Sequence, residues 1–279
     1  MVGGRLENKV ALISGVARGQ GRSHAVRLAS EGADIIGFDL PGESPHVGYP
    51  MATKDDLAET VRLVEAAGGR IVAGAADVRD GQAVQAVVDR GIEALGPVNV
   101  VVANAGIISP GKSFWKISEE QWNDVIDVNL TGVWRTVKAA VPSMLGAGKG
   151  GSIILIASAA AMRGPTGIAD YISAKSGLLG LMRTMARELA RHDIRVNSIL
   201  PGNVNTDLIH NDAMYRQFRP ELENPTIEDV EPLFRRTMLL RRPWAEVQDV
   251  SNAVAFLASD DSRNITSIEF PVDLGGILK

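Results

Sequence analysis

Tyr171 and Lys175 stand four residues apart, which puts a phenol and an ammonium on one face of a helix. A free phenol titrates near pH ~10, and a cation a few ångströms away favours phenolate. Such a base could take the hydroxyl proton of an alcohol while hydride leaves the same carbon. Ser158, 13 residues upstream, ends an apolar run and could hydrogen-bond the same oxygen and orient it. With three tyrosines and eight lysines in 279 residues, a Tyr-x-x-x-Lys arises by chance about 0.09 times per chain. The pair therefore takes its weight from its company.

Ser14-Gly15-Val16-Ala17-Arg18-Gly19-Gln20-Gly21 follows the first apolar run and opens a helical segment. Glycines there let the backbone turn tightly and approach a pyrophosphate, whose charge sits against the free N–H groups of the helix start. Gly15, Arg18, Gly19, Gln20 and Gly21 are thus candidate cofactor contacts. The spacing is GxxxGxG, not GxGxxG. Asp39, 18 residues after Gly21, ends the second apolar run with Leu40 beside it. A carboxylate at that place can hydrogen-bond the adenosine ribose hydroxyls and repels a 2′-phosphate, which favours NAD over NADP. Arg18 argues the other way, because a guanidinium can hold that phosphate. Asp39 opposes the phosphate directly, whereas Arg18 could simply face solvent, so NAD is the expected cofactor.

These residues need a frame. Short apolar runs at Val10–Ile13, Asp34–Phe38, Ile71–Gly74, Val98–Ala103, Ser152–Ala157, Arg195–Leu200 and Ile268–Val272 read as about seven strands. Between them, segments near 20–31, 54–67, 80–95, 119–146, 171–191 and 245–258 carry apolar residues at helical spacing. Near-continuous apolar strands alternating with helices predict a doubly wound parallel sheet of Rossmann type, covered on both faces. Residues 1–279 are read as one dinucleotide-binding and catalytic domain. Two stretches break the rhythm. Residues 40–53 carry three prolines and two glycines, and form an insert beside the cofactor. Residues 203–244 carry Ile209, Met214, Tyr215, Phe218, Leu222, Phe234, Met238, Leu239 and Trp244 among many charges, and are expected to form a substrate lid.

Composition removes other classes. The net charge is -4 with no basic block, which argues against nucleic acid or an anionic membrane as partner. No cysteine is present, so disulfides, thiolate nucleophiles and cysteine-ligated metals are excluded. His24, His46, His192 and His210 are scattered, and no metal is expected. No GxSxG elbow supports a hydrolase. Trp115, Trp122 and Trp134 read as core or subunit-interface aromatics. The first residues run into an apolar segment too short for a signal-peptide core, so the expected location is the cytoplasm.

Taken in order, the motifs resemble the short-chain dehydrogenase/reductase family from Lys9 to Gly276. Besides the glycine turn, Asp77-Val78 matches its adenine-contacting pair, and Asn104-Ala105-Gly106 its Asn-Ala-Gly after the fourth strand. Asn129, Ser158, Tyr171 and Lys175 match its catalytic set. Pro201-Gly202, with Val204 and Thr206, matches the segment that holds the nicotinamide carboxamide. The resemblance implies that Lys175 also holds the nicotinamide ribose, that Asn129 anchors a proton-relay water, and that the chain forms a homotetramer. Nucleotide-sugar epimerases share YxxxK but usually carry GxxGxxG and a larger C-terminal domain, and a non-catalytic NAD-binding protein would not need the base. The turn through His24, the insert and Val102–Ile107 look like the carveol-dehydrogenase-like, mycofactocin-coupled subgroup. That likeness implies oxidation of a hydrophobic secondary alcohol such as a terpenoid and an insert that slows NAD exchange. One departure stands out: Thr266-Ser267 replaces the family's Thr-Gly, which predicts a strained turn there.

Overall fold

The computed structural model describes residues 4–40, 42, 44 and 46–279. Pro41, Glu43 and Pro45 of the 40–53 insert lie outside the described residues.

Each apolar run becomes a strand: β1 (Val10–Ser14), β2 (Asp34–Asp39), β3 (Ile71–Ala75), β4 (Val100–Ala103), β5 (Gly151–Ile156), β6 (Ile194–Pro201) and β7 (Glu269–Val272). Of these, β1, β2, β4, β5 and β6 are buried on both faces, their alternate side chains feeding two separate cores, while the edge strands β3 and β7 are only partly buried. They form one seven-stranded sheet in the order β3-β2-β1-β4-β5-β6-β7, parallel throughout. Leu12, Phe38, Val101 and Leu155 pack on one face; Ile13, Ile35, Val102 and Ile154 pack on the other.

The helices are α1 (Gly19–Ala29), α2 (Lys54–Ala66), α3 (Gly81–Leu95), α4 (Glu119–Ile126), α5 (Gly132–Ala147), α6 (Ala169–Leu189), α7 (Asp212–Phe218), α8 (Ile227–Arg236) and α9 (Val247–Ala258). Residues of α1 and α9 join one core, and residues of α3, α5 and α6 the other. Thr53 and Asp56 make a reciprocal capping box, which ends the insert and starts α2 at a fixed residue. None of the described helices is long and apolar enough to cross a membrane.

The sequence predicts one helix over 119–146, and the structure breaks it. A π-helical turn, Asp127–Thr131, separates α4 from α5. It places Asn129, fully buried, toward the loop after β4. Such bulges mark functional sites, and apolar spacing over so short a stretch does not reveal them. Trp115, Trp122 and Trp134 are 70%, 39% and 42% exposed, so the core reading of these aromatics fails. In the 203–244 stretch, Ile209, Met214, Phe234 and Met238 are buried against the body of the molecule, while Leu239 is half exposed.

Ser267 adopts φ 62, the left-handed conformation expected to trouble a serine. Its N–H donates to Val196 O at 2.7 Å, which fixes it there. Left-handed backbone costs a non-glycine residue roughly 1–2 kcal/mol, offset in part by the greater unfolded-state freedom of glycine. Ser267→Gly should therefore stabilise the fold by about 0.5–1 kcal/mol, raising the melting temperature by a few degrees. A melt at or below the parent's would show that this serine carries no strain.

Candidate active site

The carboxyl ends of the strands and the first turns of α6 gather the predicted residues, Asn129 excepted, into two adjoining cavities. Strand β1 delivers the glycine turn. Gly15 has φ +70, and a Cβ there would stand 2.8 Å from Ala105 Cα. A Cβ on Gly21 would stand 1.9 Å from Gly15 O, so the turn and the first coil of α1 touch backbone to backbone. The shape is held from a distance. Asn104 Nδ2 donates to Ser14 O and Gly15 O, both at 3.1 Å, and Ser14 Oγ accepts from Asn104 N and Ala105 N.

One cleft is lined by Gly15, Arg18, Gly19, Gln20 and Gly21 of the turn and by Asp39 and Leu40 after β2. Asp77 and Val78 after β3, Asn104 to Gly106 after β4, and Thr206 complete its predicted lining. Asp39 accepts from Ala17 N at 2.7 Å and from Leu40 N at 2.8 Å. Burial pushes its carboxyl above the ordinary value against the pull of these bonds and of Arg18.

Arg18 does not simply face solvent. Its guanidinium donates to Asp207 Oδ2 at 2.9 Å and to Pro50 O, joining the turn to both the insert and the 203–244 stretch. Several lining residues escape sequence reasoning. Tyr49, from the insert, is buried in the cleft wall, and its Oη accepts from Ile108 N at 3.4 Å. Burial pushes the Tyr49 phenol up to about 12. Arg79 donates to Asp77 Oδ2 at 2.8 Å and to Asp124, and so takes up the Asp77 carboxylate. Neither residue carries a spacing signal, since Tyr49 acts through Ile108, 59 residues on, and Arg79 joins its neighbour Asp77 to Asp124, 45 residues on.

The second cavity joins Ser158, Tyr171 and Lys175 to Pro201, Val204 and Thr206. Gln20, Asn104, Gly106, Thr206 and Leu208 line both cavities, so the two form one continuous site. Ser158, on the turn after β5, faces the Tyr171 side chain across this cavity. Burial raises the Tyr171 phenol above its usual value and the nearby Ser158 hydroxyl pulls it back in part. Lys175 Nζ lies 5.7 Å from the Tyr171 ring centroid and donates to Ile156 O at 2.8 Å. Burial pushes the ammonium down to about 8.

The expectation that Lys175 lowers the Tyr171 pKa is thus outweighed here: the ammonium is bonded to a carbonyl, and desolvation dominates both groups. Asn129 lines neither cavity. Its Oδ1 accepts from Ile107 N at 3.0 Å and its Nδ2 donates to Ile107 O at 2.8 Å. Gly106 is pressed between them, since a Cβ there would stand 2.8 Å from Asn129 Oδ1 and 3.3 Å from Lys175 Nζ.

The cleft suits a dinucleotide. The missing Cβ atoms of Gly15 and Gly21 let the turn close onto Ala105 and onto itself, which sets the free N–H groups of the start of α1 against the cleft, and the buried Gln20 Oε1 has no partner among the described residues. The neighbouring cavity suits acid–base chemistry on an oxygen held between Ser158 and Tyr171.

The chain is also similar to proteins of known family. Residues 9–215 match the family model for short chain dehydrogenases. The chain is 50% identical over 275 residues to a (-)-trans-carveol dehydrogenase of Rhodococcus erythropolis, covering 99% of each. It is similar to a carveol dehydrogenase of Mycobacterium avium crystallised with NAD, with TM-score 0.97 and 51% identity over 99% of this chain and 100% of that one. A short chain dehydrogenase of Mycobacterium paratuberculosis bound to NAD matches with TM-score 0.91 and 45% identity, again over 99% and 100%. With its glycine turn, seven-stranded parallel sheet and Ser158–Tyr171–Lys175 grouping, the chain belongs to the short-chain dehydrogenase family.

Proposed function

We propose that the protein is an NAD-dependent oxidoreductase that interconverts a hydrophobic secondary alcohol, carveol-like in shape, and its ketone. The observation that carries this reading is the meeting of Ser158, Tyr171 and Lys175 in a cavity continuous with the glycine-turn cleft. Gly15, Gly19 and Gly21 hold the diphosphate, Asp39 the adenosine ribose, Asp77 and Val78 border the adenine, and Val204 and Thr206 hold the carboxamide. Bound NAD supplies the acceptor for the hydride of the carbinol carbon.

The chain's own residues handle the proton. Ser158 Oγ orients the substrate oxygen, and Tyr171 Oη takes its proton on oxidation or returns it on reduction. Lys175 Nζ, held by Ile156 O, keeps a positive charge beside the phenol and the ribose. Because both amide atoms of Asn129 are spent on Ile107, a water on the proton path would be anchored by its main chain in the π turn. Residues 203–244 close over the alcohol as a lid, and 1–279 act as one catalytic unit. The partly exposed Trp122 and Trp134 support a subunit interface, and the family likeness implies a homotetramer.

The test is oxidation of carveol with NAD and with NADP. NAD should be strongly preferred, and Asp39→Ala should relax the preference by about tenfold or more, the scale of one removed charge repulsion near a protein surface. An unchanged preference would mean that Asp39 is not the selector.

The insert bears on exchange. Arg18 ties it to the lid through Pro50 O and Asp207, and Tyr49 ties it to Ile108 N. This supports slow release of NAD and recycling in place. Arg18→Ala should speed NADH release in stopped flow by about three- to tenfold, a modest figure because Asp207 is 62% exposed. An unaltered release rate would remove the clasp from the account.

A further inference from the structure

We propose that Asp170 is a positioning residue whose buried carboxylate, acting through Gln121, holds the 109–117 segment against the start of α6. The inference rests on the reading of Tyr171 as the acid/base group, since α6 presents that residue immediately after Asp170.

Asp170 is 0% exposed, where a carboxylate survives only if its oxygens are bonded. Its Oδ1 accepts from Tyr171 N at 2.8 Å and its Oδ2 from Gln121 Nε2 at 2.9 Å. Gln121 is itself buried, on α4. Its Nε2 also reaches Ser109 O at 3.5 Å, and its Oε1 accepts from Lys112 Nζ at 2.7 Å. A glutamine amide has one donor end and one acceptor end. Asp170 offers only acceptors, so it turns the donor end inward and leaves the acceptor end for Lys112. The polarity of the whole relay is set at Asp170.

The held segment matters to substrate. With Ile172 of α6 and Arg216 of α7 it lines a cavity of about 900 Å³ beside the turn that carries Tyr171. Phe114 and Trp115, a T-shaped pair with centroids 5.1 Å apart, give this wall an apolar surface suited to a hydrocarbon ring. The relay fixes how far that wall stands from Tyr171.

The chemistry offers a polarity-reversal test. In Asp170→Asn the bond from Tyr171 N survives, but the new amide N–H₂ faces the Gln121 donor. Gln121 must turn over, setting N–H₂ against Lys112 Nζ and Oε1 against Ser109 O. Adding Lys112→Glu supplies the acceptor that the reversed glutamine needs.

Hydrogen exchange of peptide 109–117 and steady-state kinetics with carveol would be measured for both single variants and the double. Either single variant should speed exchange of the segment and raise KM about tenfold, the scale of one or two lost hydrogen bonds, with kcat within about threefold. The double variant should recover most of both losses. Unchanged exchange and KM in Asp170→Asn, or a double variant no better than the singles, would overturn the proposal. Should Tyr171→Phe retain turnover, the acid/base reading falls while the exchange data still judge the relay.

Discussion

Tyr171→Phe should lower turnover at least about 10³-fold and leave the fold and bound NAD in place. Phenylalanine fills the same buried volume on α6, so packing survives and only the hydroxyl is lost. That hydroxyl shares its cavity with Ser158 and is the proton-carrying group of the proposed mechanism. General acid–base catalysis by one positioned group is worth roughly 10²–10⁴-fold, and here it also holds the substrate oxygen. The pH dependence follows from the direction of the shift. Burial raises the phenol, so it stays protonated through neutrality. Alcohol oxidation needs the deprotonated form and should climb about tenfold per pH unit from neutrality toward the phenol's raised pKa. Ketone reduction needs the protonated form and should be flat over the same range. Turnover within about tenfold of the parent in Tyr171→Phe would sink the assignment.

A second large effect is expected far from the site. His24 is fully buried where α1 packs on α9, with Nδ1 2.8 Å from Ser251 Oγ. The Ser251 hydroxyl donates to Val247 O, so His24 is best assigned Nδ1–H, which leaves Nε2 a bare acceptor without a partner. Protonation would bury an N–H⁺ with nothing to receive it, and burial accordingly pushes the pKa from 6.5 down to about 3. Unfolded chains bind this proton near pH 6.5 and the folded protein does not, so unfolding takes up a proton between those values. The stability is complete above about pH 6.5 and is lost progressively as the pH falls toward 3, to a total of roughly 4 kcal/mol.

In the upper part of that window the histidine dominates, with Asp39, whose carboxyl burial raises, working in the opposite sense. Glu31, bonded to Arg5, and Asp260, bonded to Lys9, are held below their ordinary values and lose their contribution only under more acid conditions. His210, lowered by partial burial, adds a smaller amount of the same sign. Between pH 6.5 and 4.5 the parent should lose about 3 kcal/mol. His24→Gln, which cannot titrate, should lose far less when its melting temperature is followed over the same range. Equal slopes in parent and variant would place the acid sensitivity elsewhere.

The glycine turn, Asp39 and Ser158 are legible because each sits at the end of a strand whose apolar run is visible in the sequence, and Tyr171 and Lys175 because their spacing puts them on one face of the helix that follows β5. A parallel sheet carries all such ends to one edge, and the structure accordingly places these residues along one continuous site. What was not legible depends on contacts between distant residues. The π turn at Asp127–Thr131 lies inside an apparently continuous helical pattern, because one extra residue per turn barely disturbs apolar spacing over five residues. Tyr49 comes from an insert with no periodicity, so its approach to Ile108 has no local cause. Gln121 reads as an ordinary polar residue in the first turn of a helix until Asp170, 49 residues on, gives it a direction. Arg18 shows the limit for a residue that was noticed: its type was informative, but its two partners, 32 and 189 residues away, decide its role.

The dependence of the glycine turn on Asn104 has a consequence for how the protein is made. Strands β1, β2 and β3 are complete by Ala75, and as the ribosome releases them they can already pair. The other edge of β1 stays open until Val100 to Val102 arrive, and the turn lacks its two carbonyl-binding N–H donations until Asn104 follows. A nascent chain shorter than this therefore exposes an unpaired central strand and a loose glycine segment, a form open to mispairing or to a chaperone. Cofactor cannot template the first half. It can only meet a turn whose shape is supplied by residues made some ninety positions later.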